Sequence, residues 1–379
     1  EKIIWFKMKK RQFNFYLFFL FISFSCAQKD TTIEEPAKEI YDIELIHPTK
    51  NIPWSLEFID EKTIIYTEKQ GKIFIVSDEN ISEVIGLPSI YERGQGGLMD
   101  IDIHPDFKEN KLIFLSYASG DRERGGNTSI ARAKLINNEL INLKVIYKGE
   151  ENTTRGQHFG SRIEIDNDGF LYFTIGDRGN RDVNPQDLTK DGGKVYRINI
   201  DGSIPDDNPF INDSNVKTAI YSYGHRNPQG IFLHPETGRI WTNEHGPRGG
   251  DEINIISSGK NYGWPKITYG INYVGTTITK NKALPGLEQP LYYWVPSIAP
   301  SSFEYVWSER YANWKGSLLV GSLKYMYLER LELNDEKVIY REKIAKNVGR
   351  VRDVKLSPKG YIYIAVENKG IFKLNPKNE

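Results

Sequence analysis

Cysteine is almost missing from this sequence, because Cys26 is the only one among 379 residues. The domain that follows it therefore has no internal disulfide bond, and its stability must come from its core. An excess of charge of one sign is also missing, since Lys and Arg total 50 and Asp and Glu total 50. This balance argues against a nucleic-acid-binding protein, which carries a basic surplus, and against an acidic solvating tail.

The motifs of several common enzyme classes are missing as well. The sequence has no Gly-x-Ser-x-Gly nucleophile elbow, no phosphate-binding Gly-Lys-Ser/Thr loop and no Gly-x-Gly-x-x-Gly following a strand. His158 and His245 do not have the spacing of a zinc site. Nicotinamide and flavin cofactors are therefore not indicated.

A long apolar run is missing too, because the apolar stretch at residues 13–24 is too short to span a membrane comfortably. Basic residues from Met8, the expected translation start, precede this stretch, and small residues around Cys26 follow it, as in a secretory signal. We therefore expect residues 1–28 to direct export and residues 29–40, which are polar and charged, to form a disordered tether. Cys26 resembles a lipoprotein acylation site, and plain cleavage one or two residues later is the alternative. The expected location is the periplasm, or the outer membrane or cell surface of a Gram-negative bacterium.

Glycine, proline and aromatic residues are plentiful, with 33 Gly, 18 Pro, 22 Tyr and 7 Trp, which suits many short strands joined by tight turns. One pattern recurs six times: an alternating apolar strand, a turn, and a second apolar strand. The copies are Trp54–Tyr66, Met99–Phe107 leading to Leu112–Leu115, Arg162–Phe173, Gly230–Trp241, Ser302–Tyr305 with Gly316–Val320, and Val354–Ala365.

The spacing of these copies, roughly 45 to 75 residues, suits four-stranded blades better than a compact sandwich. We predict an all-β fold, a six-bladed β-propeller with four-stranded antiparallel blades, over residues 41–379, and seven blades is the alternative count. Only one strand, residues 370–374, follows the sixth copy. Residues 41–46 are therefore expected to supply the missing outer strand and close the ring.

Polar clusters stand at comparable places in successive repeats, which makes one shared site plausible. Residues 94–98 place Gln95 among three glycines, as a close backbone approach or a simple turn requires. His158 lies between glycines at a strand entrance, where it is either a general base or a hydrogen-bonded turn residue. Residues 223–230 contain an Arg226–Asn227 pair that suits recognition of a carbonyl or carboxylate group.

Two further clusters point to ions. Residues 243–252 combine glycine-rich backbone with acids, as an oxygen-seeking cation such as calcium needs, although the spacing is not that of an EF-hand. Arg350 and Arg352 lie on the same side of a strand by alternation. Two guanidinium groups on one face of an interior strand would repel each other unless an anion lies there, and an exposed strand end is the alternative.

In this order, the clusters resemble those of the soluble pyrroloquinoline-quinone (PQQ)-dependent glucose and aldose sugar dehydrogenases, over nearly all of residues 45–375. The most specific pieces are Gly-Gln-Gly-Gly-Leu, His-Phe-Gly-Ser-Arg, Gly-His-Arg-Asn-Pro-Gln-Gly, Glu-His-Gly-Pro-Arg-Gly-Gly-Asp-Glu, Trp-Val-Pro-Ser-Ile-Ala-Pro (residues 294–300) and Gly-Arg-Val-Arg-Asp-Val. The resemblance implies oxidation of aldoses at the anomeric carbon to lactones, with PQQ and Ca²⁺ as cofactors.

The resemblance also implies roles for individual residues. His158 is expected to take the proton from the anomeric hydroxyl, and Gln95 to hydrogen-bond near His158 and the reacting carbon. Arg226, with Asn227 beside it, is expected to stabilise the oxyanion that develops on the quinone. This chain departs from the glucose-specific members at Gln157, where they carry an acid, and it looks closer to the broad aldose branch.

The remaining assignments concern the cofactor's charges and the metal ions. Three cations are expected to pair with the carboxylates of PQQ, a trianion, which would explain their clustering: Lys324, Arg350 and Arg352. The carbonyl oxygens of Gly246 and Pro247 are expected to hold a calcium ion that polarises the cofactor. Glu252 and the carbonyl of Tyr262 match a second, structural calcium position of the family.

Two other functions compete with this interpretation. A non-catalytic extracellular binding propeller would not need the base and the cationic cluster, which are both present here. A calcium-dependent propeller hydrolase or lactonase would need inward-facing acids and asparagines, and would not need three cations. The sequence leaves open which sugar and which electron acceptor are used, and whether the protein is a monomer or a homodimer.

Overall fold

The computed structural model describes residues 40–78, 80–150 and 153–377, and nearly all regular structure among them is β-strand. In chain order the elements are β1 (Tyr41–Pro48), β2 (Pro53–Phe58), β3 (Thr63–Glu68), β4 (Lys72–Ser77), β5 (Asn80–Val84), β6 (Leu98–Ile103), α1 (Phe107–Asn110), β7 (Leu112–Asp121), β8 (Gly125–Ile136), β9 (Glu139–Lys148), β10 (Ile163–Ile165), β11 (Phe170–Ile175), β12 (Lys194–Asn199), β13 (Ile220–Tyr223), β14 (Pro228–Leu233), β15 (Ile240–Glu244), β16 (Asp251–Ile255), β17 (Tyr292–Trp294), β18 (Pro300–Tyr305), β19 (Leu318–Ser322), β20 (Tyr327–Asn334), β21 (Lys337–Ile344), β22 (Val351–Leu356), β23 (Ile362–Val366) and β24 (Gly370–Pro376).

These strands form six four-stranded antiparallel sheets, the blades of a β-propeller. Blades one to five take four consecutive strands each, from β2–β5 to β18–β21, and blade six takes β22, β23, β24 and β1. The six hairpins predicted from the sequence are the first two strands of the six blades. The predicted fold class and the blade count are therefore confirmed.

The ring is closed by its first and last strands. β1 pairs antiparallel with β24, from Tyr41 opposite Pro376 to Pro48 opposite Gly370. The hydroxyl of Tyr41 also accepts a hydrogen bond of 2.7 Å from the backbone N–H of Ala345. Pairing the N-terminal strand into the last blade covers the edge of β24 and gives that blade its fourth strand, as the sequence predicted.

The core lies mainly between neighbouring blades. Phe114 of blade two packs in one cluster with Ile163 and Phe173 of blade three. Phe232 of blade four meets Phe303 of blade five edge to face, with ring centroids 4.6 Å apart. Since one sheet cannot cover its own faces, stacking the blades buries the apolar side chains that a chain without disulfides depends on.

The first strand of most blades has a charged residue near its C-terminal end. The penultimate residue of this strand is charged in five of the six blades: Glu57, Asp102, Glu164, Glu304 and Lys355. Lys355 forms an ion pair with Glu57 and interacts electrostatically with the other three carboxyl groups. Four acids and one lysine from five blades therefore converge on the propeller axis.

The segments predicted as export signal and tether, with Cys26, lie outside the described residues apart from Ile40. Within the part of the chain that the structure describes, no helix is long and apolar enough to cross a bilayer.

Candidate active site

The starts of the first strands, with the loops that precede them, surround a cavity of about 750 Å³ at one end of the propeller. Its wall includes apolar side chains from different blades, such as Trp54, Met99 and Phe159. Gln95, Lys324, Arg350 and Arg352 line it as well, so the fold brings together residues that are distant in sequence. A cavity with flat apolar walls and several cations suits a planar polyanion.

A second cavity of about 370 Å³ adjoins the first, since Pro247 and Tyr273 line both. His158 and Arg226 line this smaller cavity together with Asp177 and Trp264. The predicted base and the predicted oxyanion-stabilising cation therefore face one space beside the cationic cavity. We refer to the larger space as the cofactor cavity and to the smaller one as the sugar cavity, after the groups that the sequence motifs lead us to expect there.

His158 is held from both its ring and its backbone. Its Nδ1 lies 2.6 Å from Oδ1 of Asp177, and its side chain is only 12% exposed. Its backbone N–H donates to Oε1 of Gln95 at 2.7 Å, so Gln95 contacts the main chain of the base instead of the ring. The backbone of His158 has a positive φ of 56°, which a non-glycine residue adopts only when its surroundings fix it.

The electrostatic surroundings keep this imidazole neutral. Burial lowers the pKa of His158, and the nearby charge of Arg226 lowers it further, against the opposing effect of Asp177. Burial alone would raise the pKa of Asp177, but the hydrogen bond with His158, the charge of Arg226 and the hydrogen bond from Trp264 oppose it, so the pKa is lowered. An ionised carboxylate beside a neutral imidazole is the arrangement of a general base.

Asp177 is itself fixed by three donors. Besides His158, the backbone N–H of Gly179 donates to Oδ1 at 2.7 Å and Nε1 of Trp264 donates to Oδ2 at 2.9 Å. No sequence motif points to Asp177 or Trp264. The signal for Asp177 is the Gly-Asp-Arg-Gly turn (residues 176–179) directly after β11, a polar turn at the same end of the blade as the predicted base.

Arg226 and Asn227 occupy the start of blade four. One Nη of Arg226 donates to the carbonyl oxygens of His245 at 2.9 Å and Gly246 at 2.8 Å. Oδ1 of Asn227 accepts the backbone N–H of Gly160 at 3.1 Å, whereas its buried Nδ2 has no hydrogen-bond partner. A buried donor without a partner is costly. Arg226 lines the smaller cavity, whereas Asn227 is buried and lines neither of the two cavities.

Arg350 and Arg352 both pair with one carboxylate of the protein, that of Glu367. Nε of Arg350 donates to Oε2 of Glu367 at 2.5 Å, and Nε of Arg352 donates to Oε1 at 3.0 Å. This confirms that alternation puts the guanidinium groups on one side. No sequence motif points to Glu367, which lies in the turn directly after β23. Lys324 keeps its ammonium 4.8 Å from the ring of Tyr325.

The residues expected to bind calcium fall in two places. The glycine-rich turn holds Gly246, whose N–H donates to Oδ1 of Asp251 at 2.8 Å and whose carbonyl accepts from Arg226. Pro247 lies at the boundary of the two cavities. A carbonyl oxygen has two lone pairs, so both carbonyls remain usable as ligands of a hard cation.

The second expected calcium position contains two facing acids. Glu252 lies opposite Glu244 in the β15–β16 ladder, and Nδ2 of Asn254 donates to both, at 3.3 and 3.0 Å. Burial, with the charge of Glu244, raises the pKa of Glu252 to about 8. The hydroxyl of Tyr262 donates to the carbonyl of Ile255, so only its own carbonyl could serve as a ligand. No three His, Cys, Asp or Glu side chains of the described residues converge as a metal site, so both positions depend on backbone oxygens.

Comparisons with known proteins identify the family of the chain. A family model described as Glucose / Sorbosone dehydrogenase matches residues 50–373. The chain is 36% identical to the aldose sugar dehydrogenase of Escherichia coli K12, over 89% of this chain and 93% of that protein. It is 30% identical to quinoprotein glucose dehydrogenase B of Acinetobacter calcoaceticus, over 88% of this chain and 86% of that protein.

A solved structure shows the same architecture. The apo crystal structure of the soluble aldose sugar dehydrogenase of E. coli superimposes with a TM-score of 0.86 at 35% identity, covering 89% of this chain and 100% of that one. Sequence and fold therefore agree over nearly the whole described propeller. The chain belongs to the glucose/sorbosone dehydrogenase family, the soluble PQQ quinoprotein propellers that its sequence motifs resemble.

Proposed function

We propose that this protein is a PQQ-dependent aldose sugar dehydrogenase, which oxidises the anomeric carbon of aldoses to lactones and passes the electrons to an acceptor. Membership of the family makes the chain an oxidoreductase that acts on sugars. The observation that carries the finer proposal is the His158–Asp177 pair, 2.6 Å apart, which lines a small cavity beside the larger one that Lys324, Arg350 and Arg352 line.

The cofactor cavity fits PQQ by charge and by shape. Lys324, Arg350 and Arg352 would hold its carboxylates, and Trp54 and Phe159 offer flat apolar walls. Glu367 offsets part of the arginines' charge and fixes their orientation. When bound, PQQ supplies the redox chemistry by accepting the hydride from the anomeric carbon.

The chain's own residues supply proton transfer and orientation. Because Asp177 accepts the Nδ1–H of His158, Nε2 carries the lone pair that takes the proton of the anomeric hydroxyl. Arg226 places a permanent cation in the sugar cavity, where it stabilises developing negative charge. Gln95 fixes the backbone of His158 and so orients the ring.

Calcium completes the proposal. One ion would bind the carbonyl oxygens of Gly246 and Pro247 beside the cofactor and act as a Lewis acid. A second, structural ion would bind Glu252 and the carbonyl of Tyr262, and its charge would offset the repulsion between Glu252 and Glu244. Treatment with a chelator followed by calcium titration tests both positions.

Export remains part of the proposal. A signal at residues 1–28, with acylation of Cys26 as the anchor, would place the enzyme in the periplasm or at the cell surface. Mass spectrometry of the mature N-terminus in a Gram-negative host distinguishes acylation from plain cleavage.

The direct test uses purified residues 40–379 with PQQ and calcium and a panel of aldoses, with dye reduction as the assay and tryptophan fluorescence to follow cofactor binding. We expect cofactor-dependent dye reduction that is lost in His158→Ala while cofactor binding remains. Binding without turnover on any aldose would point to another sugar alcohol or oligosaccharide as substrate. Absence of cofactor binding would contradict the proposal and favour a non-catalytic binding propeller.

A further inference from the structure

Arg178 is a buried cation that the proposed mechanism does not use. It follows Asp177 in the turn after β11, and none of its side chain is exposed. It lines neither the cofactor cavity nor the sugar cavity. Among the described residues its guanidinium hydrogen-bonds to backbone carbonyls alone, and its Nε has no partner. Burying a charge without a counterion is unfavourable, so the position of this arginine calls for a physical reason.

The guanidinium of Arg178 holds the loop that carries His158. One Nη donates to the carbonyl of Gln157, and the other donates to the carbonyls of Arg155 and Gly126, both at 3.0 Å. The backbone N–H of Arg178 also donates to the carbonyl of His158 at 3.3 Å. These contacts fix the position of the positive charge as well as the backbone before the proposed base.

The same guanidinium lies against a wall of the cofactor cavity. Its Cζ is 3.4 Å from the ring centroid of Phe159, which lines that cavity. At the edge of the ring lies Gly96, where a Cβ atom would come within 2.5 Å of Cζ of Phe159. The ring is therefore fixed by Arg178 on its face and by Gly96 at its edge, and the positive charge lies directly behind the wall.

A second arginine behind a cavity wall shows how this fold can neutralise such a charge. Arg162 lies 4.2 Å from the ring centroid of Trp54, which also lines the cofactor cavity. Arg162, however, forms ion pairs with Asp100 at 3.0 Å and with Asp353 at 3.1 Å. Its charge is thus offset inside the protein, whereas that of Arg178 has only carbonyl partners among the described residues.

The carboxylate next to Arg178 in the sequence is directed at other groups. Asp177 lies 2.6 Å from Nδ1 of His158 and accepts from Nε1 of Trp264 at 2.9 Å, so it offsets the charge of Arg178 only from a distance. Burial lowers the pKa of Arg178, but a guanidinium remains charged at neutral pH. A positive charge therefore persists in the protein interior, where its field is weakly screened.

We propose that Arg178 is a positioning residue of the cofactor cavity, which acts through Phe159 and places behind that wall a positive charge that favours an anionic cofactor. This inference rests on the proposed function, since PQQ is the anion that the cavity would take. The three cations that line the cavity would pair with the carboxylates of PQQ directly. Arg178 would instead raise the affinity through the ring, without touching the cofactor.

The first test measures the affinity of the cofactor-free protein for PQQ in the presence of calcium, by tryptophan fluorescence. Arg178→Met removes the charge and keeps a long unbranched side chain. We expect the dissociation constant of PQQ to rise about tenfold or more, because a charge in the interior acts over several ångströms.

Arg197→Met is the matched control, since it removes another buried arginine that stacks on an aromatic ring. Arg197 lies 4.6 Å from the ring centroid of Phe170 and lines neither the cofactor cavity nor the sugar cavity. Its PQQ affinity should equal that of the wild type. A loss as large as that of Arg178→Met would show a general effect of removing a buried arginine and would overturn the inference.

Arg178→Lys separates the charge from the packing and remains informative if Arg178→Met does not fold. Burial lowers the pKa of a lysine, as it does for the buried Lys194, whose pKa is lowered to about 7. A lysine at position 178 should therefore be charged at pH 6 and largely neutral at pH 8. We expect the dissociation constant of PQQ in this variant to rise between these pH values relative to the wild type, in which the guanidinium stays charged. A merely structural role would give no such difference.

The outcomes separate this inference from the proposed function. If Arg178→Met binds PQQ as tightly as the wild type, or if Arg178→Lys keeps the pH dependence of the wild type, the inference is overturned while cofactor binding stands. If the wild type itself does not bind PQQ, the proposed function is contradicted.

Discussion

Nδ1 of His158 lies 2.6 Å from Oδ1 of Asp177, and the same carboxylate accepts from Trp264 and from the backbone of Gly179. Because an ionised carboxylate only accepts hydrogen bonds, Nδ1 must carry a hydrogen and Nε2 must carry the lone pair. Under the proposed function, the carboxylate would also stabilise the imidazolium that forms when His158 takes up a proton. Asp177 would thus be a positioning residue that gives the proposed base its tautomer and orientation.

The first prediction concerns Asp177→Asn. An amide can offer an N–H to Nδ1 and favour the wrong tautomer, and it removes the charge that stabilises the imidazolium. We expect kcat to fall by about two to four orders of magnitude, the usual contribution of general base catalysis. Steady-state dye reduction at saturating sugar measures this, with circular dichroism to check the fold.

The control is Asp168→Asn, which removes an exposed carboxylate from a turn of the same blade. It should leave kcat within about twofold, as substitutions at exposed turns generally do. If Asp177→Asn also keeps its kcat, Nε2 of His158 is not the base.

The second prediction concerns pH. Burial and the charge of Arg226 lower the pKa of His158, so its basic form persists below the ordinary value near 6.5. We therefore expect the acid limb of the kcat/KM profile to lie below pH 6.5. Gln157→Asp adds a negative charge next to the base, raises its pKa, and should move the limb to higher pH.

Gln157→Asn is the matched control, since it has the size of the aspartate without its charge. Its acid limb should coincide with that of the wild type. A limb that moves equally in both variants would show that the shift comes from altered shape and not from charge.

The sequence was most informative about the fold, for a physical reason. Each blade begins with a hairpin whose period-two pattern is local, so Trp54–Tyr66 or Val354–Ala365 could be recognised without knowing its neighbours. The closing strand was predicted because only one strand, residues 370–374, follows the sixth hairpin. The last blade therefore needed a fourth strand from elsewhere in the chain. The pairing of β1 with β24 confirms it.

The site was less predictable, because its central contacts join residues from different blades. Glycine-flanked motifs identified His158 and Arg226, and the structure brings both to one cavity. Asp177 and Glu367 belong to no motif, and their importance appears only when the strand ends that carry them meet His158 and the two arginines. Gln95 was placed correctly near His158, but its partner is the backbone, which no sequence pattern specifies.

The third prediction concerns ring closure. A chain that begins at residue 49 lacks β1, its ladder with β24 and the buried Tyr41. We expect its melting temperature to fall by at least about 10 °C relative to a chain that begins at residue 40, or cooperative unfolding to be lost. Calorimetry measures both, and an unchanged melting temperature would show that β1 contributes little.

A milder variant separates the stability contributed by the whole strand from that contributed by a single hydrogen bond. Tyr41→Phe keeps the strand and removes only the hydroxyl that accepts the N–H of Ala345. It should cost about 1–3 kcal/mol of unfolding free energy, which is less than loss of the whole strand.

The fourth prediction concerns the charged ring on the propeller axis. Burial raises the pKa of Asp102 to about 8 and that of Glu304 to about 7. A carboxyl group whose pKa is raised by folding stabilises the native state while it is protonated, at and below its ordinary pKa near 4. That stability is lost as pH rises through the folded value. We therefore expect the urea midpoint to be lower at pH 9 than at pH 6.

Glu304→Gln tests the cause, because the amide oxygen can still accept the N–H of Tyr305 but carries no charge. Its urea midpoint at pH 9 should exceed that of the wild type, and the difference should shrink at pH 6. Glu61→Gln changes an exposed carboxylate paired with Lys359 and should shift the midpoint little at either pH. If Glu304→Gln instead destabilises the protein equally at both pH values, the carboxylate is a net stabilising partner of Lys355. Repulsion among the ring's acids would then not control the pH dependence.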